Sequence, residues 1–299
     1  MPITLNFAQR KPQALDNIEI YRKTPGNATI DVNAPGTPLA TLPGDATSYE
    51  DNAVENNTTY RYWIAAVKDG ERVFNTPTAQ GFFLDTGPGP QKLLYGDWHA
   101  GYFGTVTPAE LFTNAELNSL VVNMFSSAVS AWHKFIYKNR ILFMSDNSII
   151  NAGPQFIYNQ GLMYGQDGNG FVPSWATARN QRRTVAKNGY EYVVRLPYLF
   201  DYRFWTTNVR SGNTELYLDG EWFNTFARLY NYSGQLPRFD DLPVGPTDST
   251  TAPQSAFFAA MSDFYNQWYN RPPYPESPSN GRYENNTIRS IAVLELVLP

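Results

Sequence analysis

"TTYRYWIAAV", residues 58–67, alternates without a break. Tyr60, Tyr62, Ile64 and Ala66 fall on one side, and Arg61, Trp63, Ala65 and Val67 on the other. That period of two predicts a strand with at least one face on a core. "KDG" (68–70) then supplies a hairpin turn and "ERVFN" a returning strand. Upstream, "IEIYRK" (18–23) alternates too, and "PLATLPGDATSYEDNAV" (38–54) breaks into short strands at its Pro/Gly turns. Residues 1–85 therefore read as an all-β domain. It ends at "DTGPGPQK" (85–92), where alternating Gly and Pro can support neither a helix nor a central strand. Residues 86–92 are read as a linker and 93–299 as a second domain.

The first domain resembles a fibronectin type III (Ig-like) β sandwich over roughly residues 18–80. Tyr49, Asp51, Val54, Thr59, Tyr60, Tyr62, Ile64, Ala66 and Gly70 carry the family pattern. The resemblance implies that Tyr60 is the corner tyrosine, whose hydroxyl bonds back to nearby backbone. One departure stands out: "ITLNFA" (3–8) offers a single strand before "IEIYRK", where the family has two. A sandwich short of one strand presents an edge on which a partner chain can add a strand.

Downstream, helix and strand signals mix. "TPAE" (107–110) and "TNAE" (113–116) are consecutive capping boxes, so a short helix is expected at each. "WHKFIYKNRILFM" (132–144) reads as a hairpin about Lys138-Asn139, and "TVAKNGYEYVVRL" (184–196) as another about Asn188-Gly189. "DGEWFNTFARLYN" (219–231) predicts a helix capped by Asp219, with Trp222, Phe223, Phe226 and Tyr230 on one face. "SAFFAAMSDFYNQWYN" (255–270) has Phe257, Phe258, Met261, Phe264, Tyr265 and Trp268 at helical spacing before Pro272-Pro273, and predicts a second helix. "SIAVLELVL" (290–298) is a nearly continuous apolar run, as in a central strand covered on both faces. Together these predict an α+β domain.

Five phrases of this region, in order, resemble a domain widespread in tailed-bacteriophage virion proteins. They are "YGDWHAGYFGTVTPAEL" (95–111), "WHKFIYKNRILF" (132–143), "YVVRLP" (192–197), "GEWFNTFARLY" (220–230) and "IRSIAVLELV" (288–297). The resemblance implies a C-type-lectin-like fold, similar to that of formylglycine-generating enzymes, but not their cysteine-dependent chemistry. It implies a non-enzymatic structural protein of the virion, assembled in the host cytoplasm and placed in the tail, baseplate, neck or capsid surface. Its partners would be other virion proteins, with a homo-oligomer expected within the particle. The alternative is a carbohydrate- or host-receptor-binding protein using the lectin-like domain on a cell-surface glycan. Asp97, Trp132, Trp222 and Glu295 are the framework positions of these phrases, beside Tyr60 upstream and Trp268 on the expected second helix. Residues 232–287, rich in Pro, Asn, Ser and Gly, depart from the family's usual tryptophan-containing phrase.

Composition narrows the function classes. Charged residues make up 17% of the 299 residues, below the roughly 25% of an average protein. The net charge is −4 and the chain has no Lys/Arg run. Nucleic acid is therefore not an expected partner, since phosphate contacts need clustered cations. Arg179, Arg182 and Arg183 form the one basic cluster and are read as a solvated turn. The chain has no cysteine, which excludes disulfides, thiolate metal sites and thiol catalysis. No apolar run approaches the roughly 20 residues of a membrane helix, and "MPITLNFAQRKPQ" lacks the layout of a signal peptide. A soluble protein of the cytosol, with no membrane partner, is expected.

Candidate chemistry is sparse. Asp97 could orient His99 as a general base, but glycine-rich "YGDWHAGYFG" reads better as a turn in which Asp97 accepts backbone amides. His133 reads as an exposed or hydrogen-bonded strand residue. "DGNG" (167–170) and "FDD" (239–241) lack the layout of a calcium loop. The glycines of "GQDGNG" (165–170) precede Pro173, which opposes the helix a phosphate cradle needs. Glu221, Asp219, Asp201, Asp240 and Glu276 could in principle pair for glycoside hydrolysis. Glu221 is better read as a first-turn residue complementing a helix dipole. No catalytic, cofactor or metal residue is assigned, and no cofactor is expected.

Overall fold

The computed structural model describes residues 2–8, 14–121, 123–172, 176–198, 220–229, 256–262, 267–271, 281–282 and 288–299. The protein is mostly β-sheet, with 39% strand against 9% helix, so the second region is far less helical than its sequence predicts. The chain divides into two compact units, Met1–Thr86 with Asp97–Ala100, and Gly87–Gly96 with Gly101–Pro299.

The first unit is built around the long strand β5 (Thr58–Lys68). It pairs with β2 (Asn17–Lys23), which in turn pairs with β3 (Ala40–Pro43). On its other side β5 pairs with β6 (Glu71–Phe74) and then with β7 (Thr78–Phe82). These two strands follow one another along the same edge. Pro77, which has no amide to donate, falls between them, and Asn75 spans the gap by exchanging two 2.9 Å hydrogen bonds with the Ile64 backbone. The β5–β6 turn uses Asp69 (φ 50°) and Gly70 (φ 83°), the left-handed pair that a two-residue hairpin turn requires.

A second, two-stranded sheet joins β1 (Ile3–Asn6) to β4 (Ser48–Asp51). Ile3 and Leu5 of β1 pack in one cluster with Ile18, Ile20, Tyr60 and Tyr62 of the larger sheet. Asp51 ties the two sheets electrostatically. Its Oδ2 accepts from Arg22 at 2.6 Å and from the Tyr62 hydroxyl at 2.7 Å, while its Oδ1 takes the Ala53 amide at 3.0 Å. Among the described residues a single strand precedes β2. Asp51→Ala should therefore cost about 3 kcal/mol, because it strands Arg22 and the buried Tyr62 hydroxyl. Tyr60→Phe, which removes one hydrogen bond, should cost about 1 kcal/mol. Hydrogen exchange of β2 and β5 amides measures both; equal costs would mean that the Asp51 clamp contributes little.

The second unit is organised by a seven-stranded sheet in the order β13-β14-β19-β11-β10-β9-β8. Its strands are β8 (Tyr95–Gly96), β9 (Ala100–Val106), β10 (Trp132–Tyr137), β11 (Arg140–Ser145), β13 (Arg183–Lys187), β14 (Tyr190–Arg195) and β19 (Val293–Leu296). The terminal apolar run does take a central place: β19 pairs antiparallel with β14 on one side and β11 on the other. Both expected hairpins form, with positive φ at Lys138 (47°) and Asn139 (64°), and at Asn188 (54°) and Gly189 (83°). A smaller pair joins β12 (Ile150–Ala152) to β18 (Ile288–Ser290).

Three helical expectations change. The stretch 255–270 is not a helix: β15 (Ala256–Ser262) pairs with β16 (Gln267–Arg271), which pairs with β17 (Gly281–Arg282). Trp268 accordingly lies in a strand, with Met261 as its cross-strand partner. Aromatic residues lose side-chain freedom on a helix and favour strands, so a segment so rich in Phe, Tyr and Trp satisfies either period. The 219–231 helix shrinks to a turn at Glu221–Asn224 with Gly220, not Asp219, at its N-cap. It ends at Thr225, whose hydroxyl donates back to the Glu221 carbonyl at 2.6 Å, and a 3₁₀ turn follows at Phe226–Leu229. Asp219 and Tyr230 lie outside the described residues. Both capping boxes close, but only the second starts a helix, α1 (Asn114–Asn118). The first stops after one turn because Leu111 and Phe112 are drawn into the core.

Candidate functional site

The sheet places its charged residues by simple geometry. On β19, Glu295 stands opposite Val193 of β14 and Leu142 of β11. Arg195 and Arg140 lie two residues along those neighbours, so both flank Glu295 diagonally on the same face. Arg195 donates to Glu295 Oε2 through Nε at 2.9 Å and through a terminal nitrogen at 2.7 Å. Glu221 reaches the same guanidinium from the helical turn and forms a two-pronged pair at 2.8 and 2.6 Å. Its Oε1 also takes the Tyr198 amide at 3.1 Å, and Arg140 approaches its Oε2 at 3.2 Å. The Tyr198 ring lies 3.9 Å from the Arg195 guanidinium carbon.

Arg195 and Glu221 have no solvent exposure. Burial lowers the pKa of the Arg195 guanidinium, but Glu221, Tyr198 and Glu295 together outweigh it and leave the group well above its ordinary value. At Glu295, burial works to raise the carboxyl pKa, yet Arg195 and Arg140 together hold it below the usual carboxylate range. Two guanidinium groups therefore face two carboxyl groups across the cluster. Both Glu221 oxygens are engaged by guanidinium or amide donors. Chemically the cluster is a clamp across β11, β14, β19 and the Glu221–Asn224 turn. Glu221 does stand in the first turn of a short helix, as expected, but its carboxylate is buried against Arg195.

The other candidates are placed as follows. Asp97 Oδ1 accepts the amides of His99 and Ala100 at 2.8 and 3.0 Å, which leaves it closing a turn rather than orienting the His99 ring. The Tyr60 hydroxyl accepts the Glu55 amide at 2.8 Å. Trp132 is buried on β10 and donates to the Phe112 carbonyl at 2.8 Å. Trp222 is buried and stacks on Phe226 with ring centres 4.9 Å apart. The side chain of Trp268 lies outside the described residues, as do Asp201, Asp219, Glu276 and the "FDD" stretch. Asp167 meets Asn180 at 3.4 Å and Arg182 at 3.9 Å, and among the described residues no group of three or more His, Asp or Glu could hold a metal. Arg179 and Arg183 are not a purely solvated cluster. They donate to the Asn159 and Gln160 carbonyls at the end of α2 (Pro154–Asn159), where the orphan carbonyls of a helix need donors.

His133 is half-buried, and its Nδ1 lies 3.0 Å from the Tyr102 hydroxyl. Desolvation pushes its pKa down to about 4, against a weak opposing pull from Asp146. The sequence did not signal that environment: it comes from Tyr102 and Phe226, whose ring stands edge-on to the imidazole at 5.6 Å. No family model, curated protein or solved structure matches this chain.

Arg195→Met should cost about 3–5 kcal/mol, because it removes the two-pronged partner of the fully buried Glu221. Adding Glu221→Leu to that variant should recover at least about 1 kcal/mol relative to the sum of the single changes. Denaturant unfolding measures both, and additive effects would mean that the two residues act separately. His133 adds a pH dependence. Its folded pKa lies below the ordinary 6.5, so the unfolded chain binds the extra proton first. Stability is full above pH 6.5 and falls as pH drops toward 4, by about 3 kcal/mol at most. His133→Gln should flatten that slope between pH 6.5 and 4, read from unfolding midpoints; an unchanged slope would place the titration elsewhere.

Proposed function

We propose that the protein is a non-enzymatic structural component of a tailed-phage virion. Its first unit would be a fibronectin type III-like sandwich and its second a C-type-lectin-like α+β domain, docking to other virion proteins and to further copies of itself. The observation that carries this reading is the use made of the family-like phrases. Arg140 comes from "WHKFIYKNRILF", Arg195 from "YVVRLP", Glu221 from "GEWFNTFARLY" and Glu295 from "IRSIAVLELV". All four meet in one buried clamp. Asp97 of "YGDWHAGYFG" is likewise engaged by turn amides. Phrases whose polar residues hold strands together suit a scaffold better than an enzyme. In the first unit, the Tyr60 hydroxyl on the Glu55 amide and the common core of the two sheets support the sandwich reading.

The test is mass spectrometry of density-banded particles from a lysing culture that carries the coding sequence. The chain should band with DNA-filled particles at a fixed ratio to the major capsid protein. Recovery only from the particle-free fraction would overturn the proposal.

A further inference from the structure

Lys134, on β10, has no solvent exposure. Its ammonium donates to three carbonyls of one short segment: Gly87 at 3.2 Å, Pro88 at 3.0 Å and Pro90 at 2.8 Å. Three donors meet three acceptors, the full capacity of a lysine. The rings of Phe103 and Phe143 stand 5.0 and 5.7 Å from the same nitrogen. The segment is also closed on itself, since the Gln91 side chain donates to the carbonyls of Gly87 at 2.6 Å and Gly89 at 3.1 Å.

Recognition runs through backbone. Gly87 and Gly89 both have φ of 78°, where a side chain would be strained. A Cβ on Gly89 would stand 2.4 Å from Val106, and one on Gly87 3.1 Å from Leu296. Pro88 and Pro90, each directly after one of these glycines, have a fixed φ and bring no amide that would need a partner. Phe143 and Lys134 are cross-strand partners, and both alternate with residues of the Glu295 face. The segment therefore lies on the sheet face opposite the Arg195–Glu221 clamp.

We propose that the second unit carries a binding groove for a bent Gly/Pro-rich backbone, keyed by Lys134 and walled by Phe103, Phe143, Val106 and Leu296. Residues 87–91 occupy it in cis as a built-in ligand. The strap can then release as one piece while the sheet stays folded. This goes beyond the virion reading and stands without it.

Two measurements on the full chain decide the matter. In the unmodified protein, NMR of the lysine ammonium groups should show the Lys134 protons exchanging with water at least about 100-fold more slowly than those of exposed lysines. In Lys134→Met, the carbonyl carbon resonances of Gly87, Pro88 and Pro90, which lose their donor, should shift, while exchange of β10 and β11 amides stays within about threefold of the parent. Exposed-like exchange of the Lys134 ammonium would overturn the proposal, as would unchanged strap carbonyl resonances in the variant. Loss of protection across the whole sheet, or failure of the variant to fold, would also overturn it, because the strap would then be a part of the core and not a ligand.

Discussion

Arg195 joined to Glu221 is the contact on which the second unit depends. Neither side chain reaches solvent, so each is tolerable there only because it is paired with opposite charge. The pair lies at a crossing of the architecture. Arg195 ends β14, Glu295 beside it sits on the central strand, Arg140 opens β11, and Glu221 arrives with the short helical turn. A slip of one residue between β14 and β19 would move Arg195 to the opposite face and leave both glutamates without it. The apolar side chains of β14 and β19 favour burial in several registers; the ion cluster is satisfied in one.

The same logic recurs where the chain has few other means of cross-linking. With no cysteine and few charges, the first unit fastens its sheets through Asp51, Arg22 and Tyr62. It also joins β2 to β6 through Glu19, which accepts Arg72 at 2.6 and 3.0 Å and the Tyr21 hydroxyl at 2.6 Å. The Arg72 hydrogen bond outweighs burial and holds the Glu19 carboxyl below its ordinary range. Hydroxyls of buried tyrosines complete both clusters, which gives the high Tyr content a polar role beside its packing one.

What could be read from residues 1–299 was what local chemistry decides. Asp69-Gly70, Lys138-Asn139 and Asn188-Gly189 marked their hairpins because few residue pairs accept left-handed backbone. The alternation at 58–67 and the apolar run at 290–298 marked the two strands around which each unit is built. Non-local decisions were not legible. Residues 255–270 satisfy helical spacing, but nothing in that spacing shows that Gln267–Arg271 has β15 and β17 as neighbours. Glu221 was legible only as a first-turn carboxylate, because its partner is 26 residues away in sequence. Once β14, β19 and β11 are aligned, however, the diagonal placement of Arg195 and Arg140 about Glu295 follows from the strand period alone.

A buried ion cluster need not make a protein more stable than a well-packed apolar equivalent would. Its effect here is better sought in specificity. β14 and β19 carry Val193, Val194, Val293 and Leu294, residues of similar shape that discriminate poorly between registers. β11 contributes Ile141, Leu142 and Phe143 to the same apolar surface. A central strand with neighbours this uniform needs some feature that penalises misalignment. Charges that cannot be left unpaired supply it, since a misregistered sheet would bury at least one of them alone. On the opposite face the Lys134 ammonium imposes a similar condition, because it is held by three strap carbonyls. The sheet is thus held in a single alignment by polar conditions on both faces, while the apolar side chains between them provide most of the driving force for burial.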